Sequence, residues 1–510
     1  MKKIVLIPLD ERPCNYDFPG LLAKETEYQV VVPPMNIMGH KKQVGNIEGI
    51  WKWLFEETKD ADGVIISIDT LLYSGIVPSR LHYDTAEELI SKLEQLKKLK
   101  EANPKLKMYG FNLIMRNPKY SSSDEEPDYY EDWGSEIHRY GHINHKIELG
   151  IASEEEIKEL EDVNARLPKE YLVDYIERRK VNIEVNKRAI KLVDEGVLDF
   201  MIIPQDDSSP YGLTAKDQIL VRDYIDELNV GLSVYMYPDA DAVANTLLAR
   251  MINEDKEVKP LMYVRYNSSK APHIIPAYED RLLSESIKYQ IIAAGGLVAS
   301  SVNEADIVLM VNAPADNMLD LHVRHSKVNK KTIEYDAFRN IIESIEYANY
   351  VINTLNKPCI FADVAYANGG DVQLLKLLSK KGLLYKLAGY AGWNTSSNSL
   401  GTCIPQGMIF DIYNNTKAHK DFLALRYTED VGHCYHARSV ITLEHLPEMG
   451  YDYYEVDGPR GEVSKLEKKE LEKFVKEYVI DDKYDIEILD CWLPWNRMFE
   501  VGLDVQVVEK

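Results

Sequence analysis

Two adjacent carboxylates give the sequence its clearest chemical signal. Asp206 and Asp207 end the apolar run DFMIIPQDD, and the turn-forming letters SSP follow them directly. Two carboxylates in one dry cleft repel each other, so one can stay protonated near neutral pH while the other stays anionic. Neighbouring residues of a regular strand point to opposite faces, so both can address one ligand only where the strand ends. The pair therefore predicts acid/base catalysis.

Polar clusters also end several other apolar runs. They lie in LDERPCN, IDTLLYSG, PQDDSSPYG, YPDADAV, ADVAYANGGD and GYAGWNTSSN. Because active sites of parallel α/β folds gather at the carboxyl ends of strands, we expect one shared site. Any single cluster can instead be a helix N-cap, although arginine, tyrosine and tryptophan are not capping residues. The predicted substrate-binding residues are Asp10, Arg12, Asp69, Tyr73, Tyr211, Asp241, Asp363, Asn368, Asp371, Trp393, Asn394 and Asn398.

The elements that must position these residues alternate along the chain. Apolar runs separated by amphipathic stretches of helical length are typical of βαβ units and predict an α/β fold with a parallel sheet. The clearest runs cover residues 3–10, 63–69, 106–114, 199–207, 231–239, 306–314, 359–366 and 387–394. Eight runs favour a closed (β/α)8 TIM-like barrel. Further runs at 29–34, 261–266 and 297–301 spoil a clean count, and an open doubly wound sheet is the alternative.

Two stretches depart from this alternation. Residues 118–195 open with the acidic, tyrosine-rich SSSDEEPDYYEDW and continue with helical sequence, which predicts a helical insertion that could form a lid. After about residue 420, the strand-like HARSVITL, DIEILD and GLDVQVV surround a lysine- and glutamate-rich helix at 463–479. We predict a catalytic domain over residues 1–420 and a small α+β appendage over residues 421–510.

Composition restricts the partners. The 510 residues carry a formal net charge of −23, which opposes binding to nucleic acid or to an anionic membrane surface. No apolar stretch approaches the roughly 20 residues that a bilayer crossing needs, and Asp10 ends the first run too early for a signal segment. Five scattered cysteines are typical of reduced thiols. We expect a cytoplasmic protein with a small neutral carbohydrate as its partner. The sequence leaves open whether the protein forms a homo-oligomer.

Possible metal and cofactor sites have simpler explanations. His138, His142 and His145 would share one helical face, a spacing compatible with a metal site, but a solvated face of the insertion explains them equally. The HCYH cluster at 433–436 has no fourth ligand nearby. ANGGD is not followed by the Lys-Ser/Thr of a phosphate loop, and GxGxxG is absent. We therefore expect no metal and no cofactor.

Asp206 and Asp207, an adjacent Asp pair expected to end the fourth strand of a barrel, resemble the active site of N-acetylhexosaminidases of the bacterial O-GlcNAcase type. That resemblance implies that the substrate's own 2-acetamido oxygen attacks the anomeric carbon, a substrate-assisted route to retention of configuration. Asp206 would then orient the acetamide group, and Asp207 would be the acid/base. The resemblance implies a retaining glycoside hydrolase acting on β-linked N-acetylhexosamines, GalNAc or GlcNAc, with tyrosine or tryptophan rings facing the sugar.

Over its whole length the chain also resembles a bacterial family of roughly 500-residue proteins described as a domain of unknown function. The shared blocks are LDxRP, LLYxGxVPSR, QDDxxPYG, YANGGD and AGWNTxxN. This resemblance implies membership and no particular reaction.

Two other functions fit the same residues. The strand-end aspartates could hold Mg²⁺ or Mn²⁺ in a divalent-metal-dependent hydrolase or lyase, since hard cations prefer oxygen ligands. The cleft could also serve a non-catalytic sugar-binding protein. Chelation separates the first alternative from the glycosidase, and an Asp207→Asn substitution separates the second.

Overall fold

The computed structural model describes residues 1–321 and 333–510. The strands are β1 (Lys2–Ile7), β2 (Tyr28–Val31), β3 (Gly63–Ser67), β4 (Lys107–Phe111), β5 (Phe200–Gln205), β6 (Val234–Pro238), β7 (Leu261–Tyr266), β8 (Leu297–Val298), β9 (Ile307–Asn312), β10 (Leu319–Asp320), β11 (Cys359–Asp363), β12 (Tyr366–Ala367), β13 (Gly389–Ala391), β14 (Tyr484–Trp492) and β15 (Gly502–Glu509).

Helices separate most of these strands. They are α1 (Pro13–Tyr16), α2 (Phe18–Ala23), α3 (Ile47–Glu57), α4 (Ile68–Tyr73), α5 (Ala86–Leu93), α6 (Gln95–Ala102), α7 (Tyr130–Glu148), α8 (Glu154–Arg166), α9 (Lys169–Asp194), α10 (Leu213–Leu228), α11 (Val243–Asp255), α12 (Leu283–Ala293), α13 (Ile341–Asn353), α14 (Val372–Lys381), α15 (Ser396–Tyr413), α16 (Lys417–Arg426), α17 (Arg438–Val440), α18 (Leu446–Met449) and α19 (Glu462–Tyr478). Short 3-10 helices cover Met35–Ile37, Thr58–Asp60, Pro78–Arg80, Ala271–His273, Ile333–Tyr335, Leu384–Lys386 and Pro494–Asn496, and π-helices cover Tyr427–Ala437 and Ile441–His445.

The chain divides into two compact units. The first comprises Met1–Glu11, Tyr28–Ala244 and Tyr278–Asp280, and the second comprises Arg12–Glu27, Asn245–Ala277 and Arg281–Lys510. Residues 421–510 thus belong to the second unit together with its sheet. This division follows contacts within the chain and differs from the predicted domain limits at residues 420 and 421, which stay a prediction.

The first unit contains a six-stranded parallel sheet in the order β2-β1-β3-β4-β5-β6. Every residue of β3 and β5 is buried. Continuous apolar runs of this kind are typical of parallel strands that are covered on both faces. Because all neighbouring pairs are parallel, the carboxyl ends of β1, β3, β4, β5 and β6 lie along one edge, where the predicted aspartates follow.

The second unit contains a five-stranded parallel sheet in the order β13-β11-β9-β7-β8. If the strands of each sheet are numbered from its own first strand, both sheets have the order 2-1-3-4-5, and the first adds a sixth strand. This is a common doubly wound order, and the direction of winding reverses between strands 1 and 3. The chain therefore repeats one topology.

The expected closed barrel is wrong for the part of the chain that the structure describes. All eight clear apolar runs become strands, and so do the three runs that spoiled the count. These extra strands, β2, β7 and β8, pair within the two sheets, so the strands divide into sets of six and five with free edges. The fold is mixed α/β with open parallel sheets, in agreement with the alternative.

The two irregular stretches are largely helical. Helices α7, α8 and α9 occupy residues 130–194 between β4 and β5, where the helical insertion was predicted. Tyr130, Ile137, Val163 and Tyr175 form a buried cluster that joins these three helices. None of the helices in the described residues is both long and apolar enough to cross a membrane.

Near the C-terminus the predictions had mixed outcomes. The hairpin of β14 and β15 and the helix α19 form where DIEILD, GLDVQVV and the lysine-rich stretch predicted them. The predicted strand HARSVITL is wrong, because it lies in the π-helices and α17. Its buried positions Ala437, Arg438 and Ile441 are spaced as on one helix face, so packing overrides the strand preference of its branched residues.

Candidate functional site

The acid pair lies where the backbone leaves the sheet. Strand β5, the fifth strand of an open sheet and not the expected fourth strand of a barrel, ends at Gln205, and Asp206 and Asp207 form the turn that follows. Asp207 has a φ of 40°, a left-handed conformation that aspartate tolerates better than most residues. The end of β5 contacts the segment Tyr278–Asp280, since Gln205 Nε2 donates to Asp280 Oδ2 at 3.1 Å. The strand thus ends at the position that the pair required.

Two arginines hold the two carboxylates separately. Arg80 Nη2 lies 2.7 Å from Asp206 Oδ2, and Arg116 Nη1 lies 3.1 Å from Asp207 Oδ2. Arg80 is 2% exposed, so its charge is desolvated. The sequence patterns do not single out either arginine. Arg80 belongs to the VPSR letters of a shared block but does not end a strand, whereas Arg116 follows the β4 run after one residue, so strand-end position is an available signal for Arg116 alone.

The acidic start of the insertion reaches the same arginines. Glu125 Oε2 lies 3.0 Å from Arg80 Nη1 and 3.2 Å from Arg116 Nη2. Glu126 Oε1 accepts from Arg116 Nε at 2.7 Å. Four carboxyl groups therefore share two guanidinium groups. Full ionisation would leave excess negative charge in a largely buried place, which favours retention of a proton.

Asp207 is the group whose proton affinity responds to this imbalance. Burial raises the pKa of Asp207 to about 7, and the Asp206 carboxylate raises it as well, while Arg116 opposes the rise. Its side chain keeps 20% exposure, so solvent can exchange protons with it. A carboxyl group with such a pKa is available in both protonation states near neutral pH, as an acid/base catalyst requires.

Asp69 and Tyr73 lie inside the same unit but are engaged by the protein. Asp69 accepts hydrogen bonds from Asn112 Nδ2 at 3.1 Å and from the Leu113 N–H at 3.0 Å. Burial raises the pKa of Asp69 to about 6. The Tyr73 hydroxyl donates to Asn182 Oδ1 at 3.1 Å and so joins α4 to α9. These contacts indicate that both residues support the strand-end loops.

Tyr211 anchors the far end of the acid loop to α7. Its ring meets His142 and His145 edge-on, with centroid distances of 5.8 and 6.1 Å. The Gly212 N–H donates to His145 Nδ1 at 3.2 Å. Tyr211 thus packs on the helical insertion, and the two histidines hold the loop that carries the acid pair.

The predicted histidine face does not assemble a metal centre. His138 Nδ1 lies 2.9 Å from the Asn117 carbonyl oxygen, whereas the polar partners of His142 and His145 are Glu156 and the Gly212 N–H, so the three rings do not converge on one point. Burial lowers the pKa values of His138, His142 and His145. Within residues 1–321 and 333–510, no group of three or more His, Cys, Asp or Glu side chains has a metal-binding arrangement.

The two remaining predicted site aspartates of the first unit lie on the same sheet edge. Asp10 follows β1 and Asp241 follows β6, and both are buried. Their neighbour Asp239 accepts from the N–H groups of Ala240 and Ala242 at 2.7 and 3.2 Å. Asp239 therefore acts as a local cap, the structural alternative to ligand binding.

In the second unit, two predicted residues belong to a closed hydrogen-bond network. Asp363 is fully buried and accepts from Asn312 Nδ2 at 2.8 Å, the Tyr390 hydroxyl at 2.8 Å and the Asp371 N–H at 2.6 Å. Asp371 caps α14 and pairs with Arg339 at 2.7 Å. Burial raises the pKa of Asp363 to about 7, with Asp371 as the next cause. These carboxylates fix the NGGD turn.

Four predicted residues of the second unit line one small cavity. They are Arg12, Asn368, Trp393 and Asn394. The Asn368 N–H donates to the Asn394 carbonyl at 2.6 Å, which joins the two loops. Asn398 lies nearby in the chain and accepts from the Thr395 hydroxyl at 2.6 Å in the first turn of α15.

The fourteen predicted site residues therefore divide between the units. The first unit holds Asp10, Asp69, Tyr73, Asp206, Asp207, Tyr211 and Asp241, and the second holds Arg12, Asp363, Asn368, Asp371, Trp393, Asn394 and Asn398. Most members of each set follow strands of their own unit, as the fold class predicts, whereas Arg12 follows β1 of the first sheet and belongs to the second unit. A single site shared by all of them stays a prediction.

Fold and site define a doubly wound parallel α/β protein with a carboxylate and arginine cluster at its strand ends. The chain belongs to the family described as "Protein of unknown function (DUF4127)", whose model matches residues 4–504. A comparison with curated proteins found no match. The family description names no activity, so the resemblance to N-acetylhexosaminidases remains a basis for proposal alone.

Proposed function

We propose that the protein is a retaining glycoside hydrolase that acts on β-linked N-acetylhexosamines through substrate assistance. Asp207 is the acid/base in this proposal, and Asp206 orients the 2-acetamido group. One observation carries it: Asp207, with a pKa raised to about 7, adjoins an aspartate that an arginine holds at 2.7 Å. The two neighbouring carboxyl groups thereby have the environments that the two roles require.

The proposed reaction divides the work between substrate and protein. The acetamide oxygen attacks the anomeric carbon, the bond to the leaving oxygen breaks, and Asp207 gives that oxygen its proton. Asp206 accepts a hydrogen bond from the acetamide N–H. Water then attacks the anomeric carbon of the cyclic intermediate and gives a proton to Asp207, which restores the acetamide and the starting protonation state.

The arginines have distinct parts in this scheme. Arg116, 3.1 Å from Asp207, stabilises the carboxylate that remains after proton donation. Arg80 keeps Asp206 in place for the acetamide and limits its rotation. Removal of either arginine would disturb one carboxyl group more than the other.

The test is release of nitrophenol from aryl β-N-acetylgalactosaminide and aryl β-N-acetylglucosaminide. The wild-type rate should fall as pH rises above about 7, because the leaving group then lacks a proton donor. Asp207→Asn should reduce kcat by about 10²- to 10⁴-fold. The matched control is Asp226→Asn on the exposed face of α10, which should leave the rate unchanged.

Three results would contradict the proposal. One is that neither glycoside is cleaved and a thiazoline mimic of the cyclic intermediate does not bind. Another is that Asp207→Asn keeps full hydrolytic activity. A non-catalytic sugar-binding protein would instead show no hydrolysis, and the substitution would leave its sugar binding intact. The third is that EDTA abolishes activity and a divalent ion restores it, which would favour the metal-dependent hydrolase or lyase.

A further inference from the structure

A broad cavity lies in the second unit where the last turns of α14 and α19 come together. The Ser379 hydroxyl donates to the Ile480 carbonyl at 2.7 Å and joins the two helix ends. The 3-10 helix Leu384–Lys386 and residues 480–484 complete much of the lining. The cavity volume is about 810 Å³. Because pockets for small molecules usually measure about 300–1,000 Å³, the cavity has room for a metabolite.

Positive charge exceeds negative charge around this cavity. The lysines of the lining are Lys376, Lys380, Lys381, Lys386, Lys420 and Lys483. The carboxylates of the lining are Glu477, Asp481 and Asp482. The whole chain carries a net charge of −23, so the sign of the charge at this place is opposite to that of the molecule. A concave surface with one excess sign of charge attracts ligands of the other sign, so the cavity favours an anion.

Most of the lysines are not neutralised by a carboxylate in contact with them. Lys381 pairs with Glu346 at 2.6 Å. Within residues 1–321 and 333–510, the other five lysines of the lining form no ion pair. Asp481 instead accepts from the N–H groups of Lys483 and Tyr484, at 2.8 and 3.2 Å, and so fixes the turn before β14. Their ammonium groups therefore remain available to a ligand.

Lys420 is the half-buried member of this set, whereas the other five are exposed. Its Nζ donates to the Asn415 carbonyl at 2.9 Å. Burial lowers the pKa of Lys420, because it removes water from the ammonium group. The carboxylates of Glu25, Asp421 and Glu509 raise this pKa in part, but none of them pairs with the ammonium group. An anion in the cavity would stabilise the charged form further.

The lining also contains two buried polar atoms without a hydrogen-bond partner. Tyr385 is 4% exposed, and its hydroxyl has no partner among the described residues. The same holds for Asn415 Oδ1 in that part of the chain. The rings of Tyr427 and Tyr484 meet Tyr385 edge-on and hold it in place. Since buried polar atoms nearly always have a partner, a ligand that binds directly or through a water would supply one.

We propose that this cavity binds the diphosphate group of a small molecule, with the lysines as its counter-ions. Phosphate oxygens accept from several ammonium groups at once, and lysine is a common phosphate-binding residue. The five lysines without an ion pair outnumber the three carboxylates by two, which suits a ligand with at least two negative charges. The net charge of −23 repels nucleic acid and anionic membranes at long range, which favours a small ligand.

This site goes beyond the glycosidase proposal and does not depend on it. Its lining residues belong to the second unit, whereas the acid pair belongs to the first. Loss of diphosphate binding therefore says nothing about hydrolysis at Asp207, and a protein that cleaves no glycoside can still bind a diphosphate.

The experiment is calorimetric titration of the full-length protein with pyrophosphate, in a phosphate-free buffer of low ionic strength without divalent cations. The wild type should show one saturable site that weakens as salt is added. The double variant Lys380→Gln/Lys483→Gln should bind about tenfold more weakly or worse, because charge-assisted hydrogen bonds are lost. The matched control Lys98→Gln/Lys469→Gln removes two exposed lysines outside the cavity and should bind like the wild type.

A third variant, Tyr385→Phe, tests the hydroxyl and keeps the ring. It should weaken pyrophosphate binding without lowering Tm, because the folded protein loses no hydrogen bond with that hydroxyl. Saturable binding that the lysine variant and Tyr385→Phe both weaken supports the site. The proposal is wrong if pyrophosphate does not saturate the wild type, if the lysine variant binds as the wild type does, or if the control weakens binding equally.

Discussion

Asp207 combines a raised proton affinity with a strained backbone and partial burial. Its pKa of about 7 lies well above the ordinary value of 3.8, chiefly because burial disfavours the charged form. A group with a raised carboxyl pKa binds its proton more tightly in the folded state than in the unfolded chain. Stability therefore falls as pH rises from about 4 to about 7, since ionisation is easier after unfolding.

This sign gives a prediction for Asp207→Asn. The variant cannot ionise, so it avoids the loss of stability that the wild type suffers as pH rises. We expect the Tm of the variant, relative to the wild type, to increase from pH 4 to pH 7 and then to level off. Thermal denaturation across this range measures the difference. A gap in Tm that shrinks with rising pH would contradict the assigned proton affinity.

Some residues of the site could be predicted from the sequence, and others could not. The aspartates could be found because they stand at strand ends, a position that the chain itself reveals. Arg80 and Glu125 could not, since their roles depend on contacts with Asp206 and Arg116 that span long loops. A charge run such as SSSDEEPD is usually a solvated face, and only the folded chain shows Glu126 buried and Glu125 half-buried against arginines.

At the scale of elements, helix α7 holds the acid loop through neutral histidines. His145 accepts the Gly212 N–H through Nδ1, which requires that nitrogen to be unprotonated. Burial lowers the pKa of His145 below its ordinary 6.5, so the folded state prefers the neutral ring. This contribution to stability is present above pH 6.5 and is lost as pH falls through the lowered pKa.

The substitution His145→Gln tests this anchor. Glutamine can accept the Gly212 N–H through its side-chain oxygen and does not titrate. We expect its Tm to fall less than that of the wild type between pH 6.5 and pH 5. The control His273→Gln changes an exposed histidine and should follow the wild type. Parallel pH curves for His145→Gln and the wild type would show that protonation of His145 does not weaken the loop.

The sequence predicted the individual strands well, but it did not predict how they pair in sheets. Eleven apolar runs become strands, and the buried ones such as β3, β5, β9 and β11 are continuous hydrophobic sequence because both of their faces are covered. Whether eight strands close or eleven divide depends on partners far apart in the chain, such as β1 with β3, which no local pattern encodes. HARSVITL failed for a related reason, since its burial repeats with helical spacing.

At the scale of the whole molecule, the two sheets repeat one strand order and one polar contact. Asp69 follows the third strand of the first sheet and accepts from Asn112, which follows the fourth strand. In the second sheet, Asn312 ends the third strand and donates to Asp363, which ends the fourth. An Asp–Asn pair thus bridges equivalent strand ends in both units, although the residue types are exchanged.

Phe18 allows a test of unit membership. It follows β1, which ends at Ile7, in the sequence, yet it belongs to the second unit. There the centroid of its ring lies 6.1 Å from that of Trp393 and 5.5 Å from that of Phe422. Phe18→Ala should lower the free energy of unfolding by about 3–5 kcal/mol through the cavity it leaves. Hydrogen exchange should increase in α16 and not in β4 or β5. Increased exchange in β4 instead would contradict the division.

The segment Arg12–Glu27, which contains Phe18, affects the timing of folding during synthesis. Residues Arg12–Glu27 are made before the rest of the second unit, and the Ala418 N–H that donates to Glu25 at 2.9 Å is made 393 residues after Glu25. At ordinary rates of about 5–20 residues per second, that interval lasts roughly 20–80 s. Until then α2 lacks the contacts with α15 and α16 that it has in the folded unit, so its apolar side is open to chaperones in the nascent chain. A ribosome that stops before residue 417 would therefore release a chain in which the apolar side of α2 lacks its contact with α16.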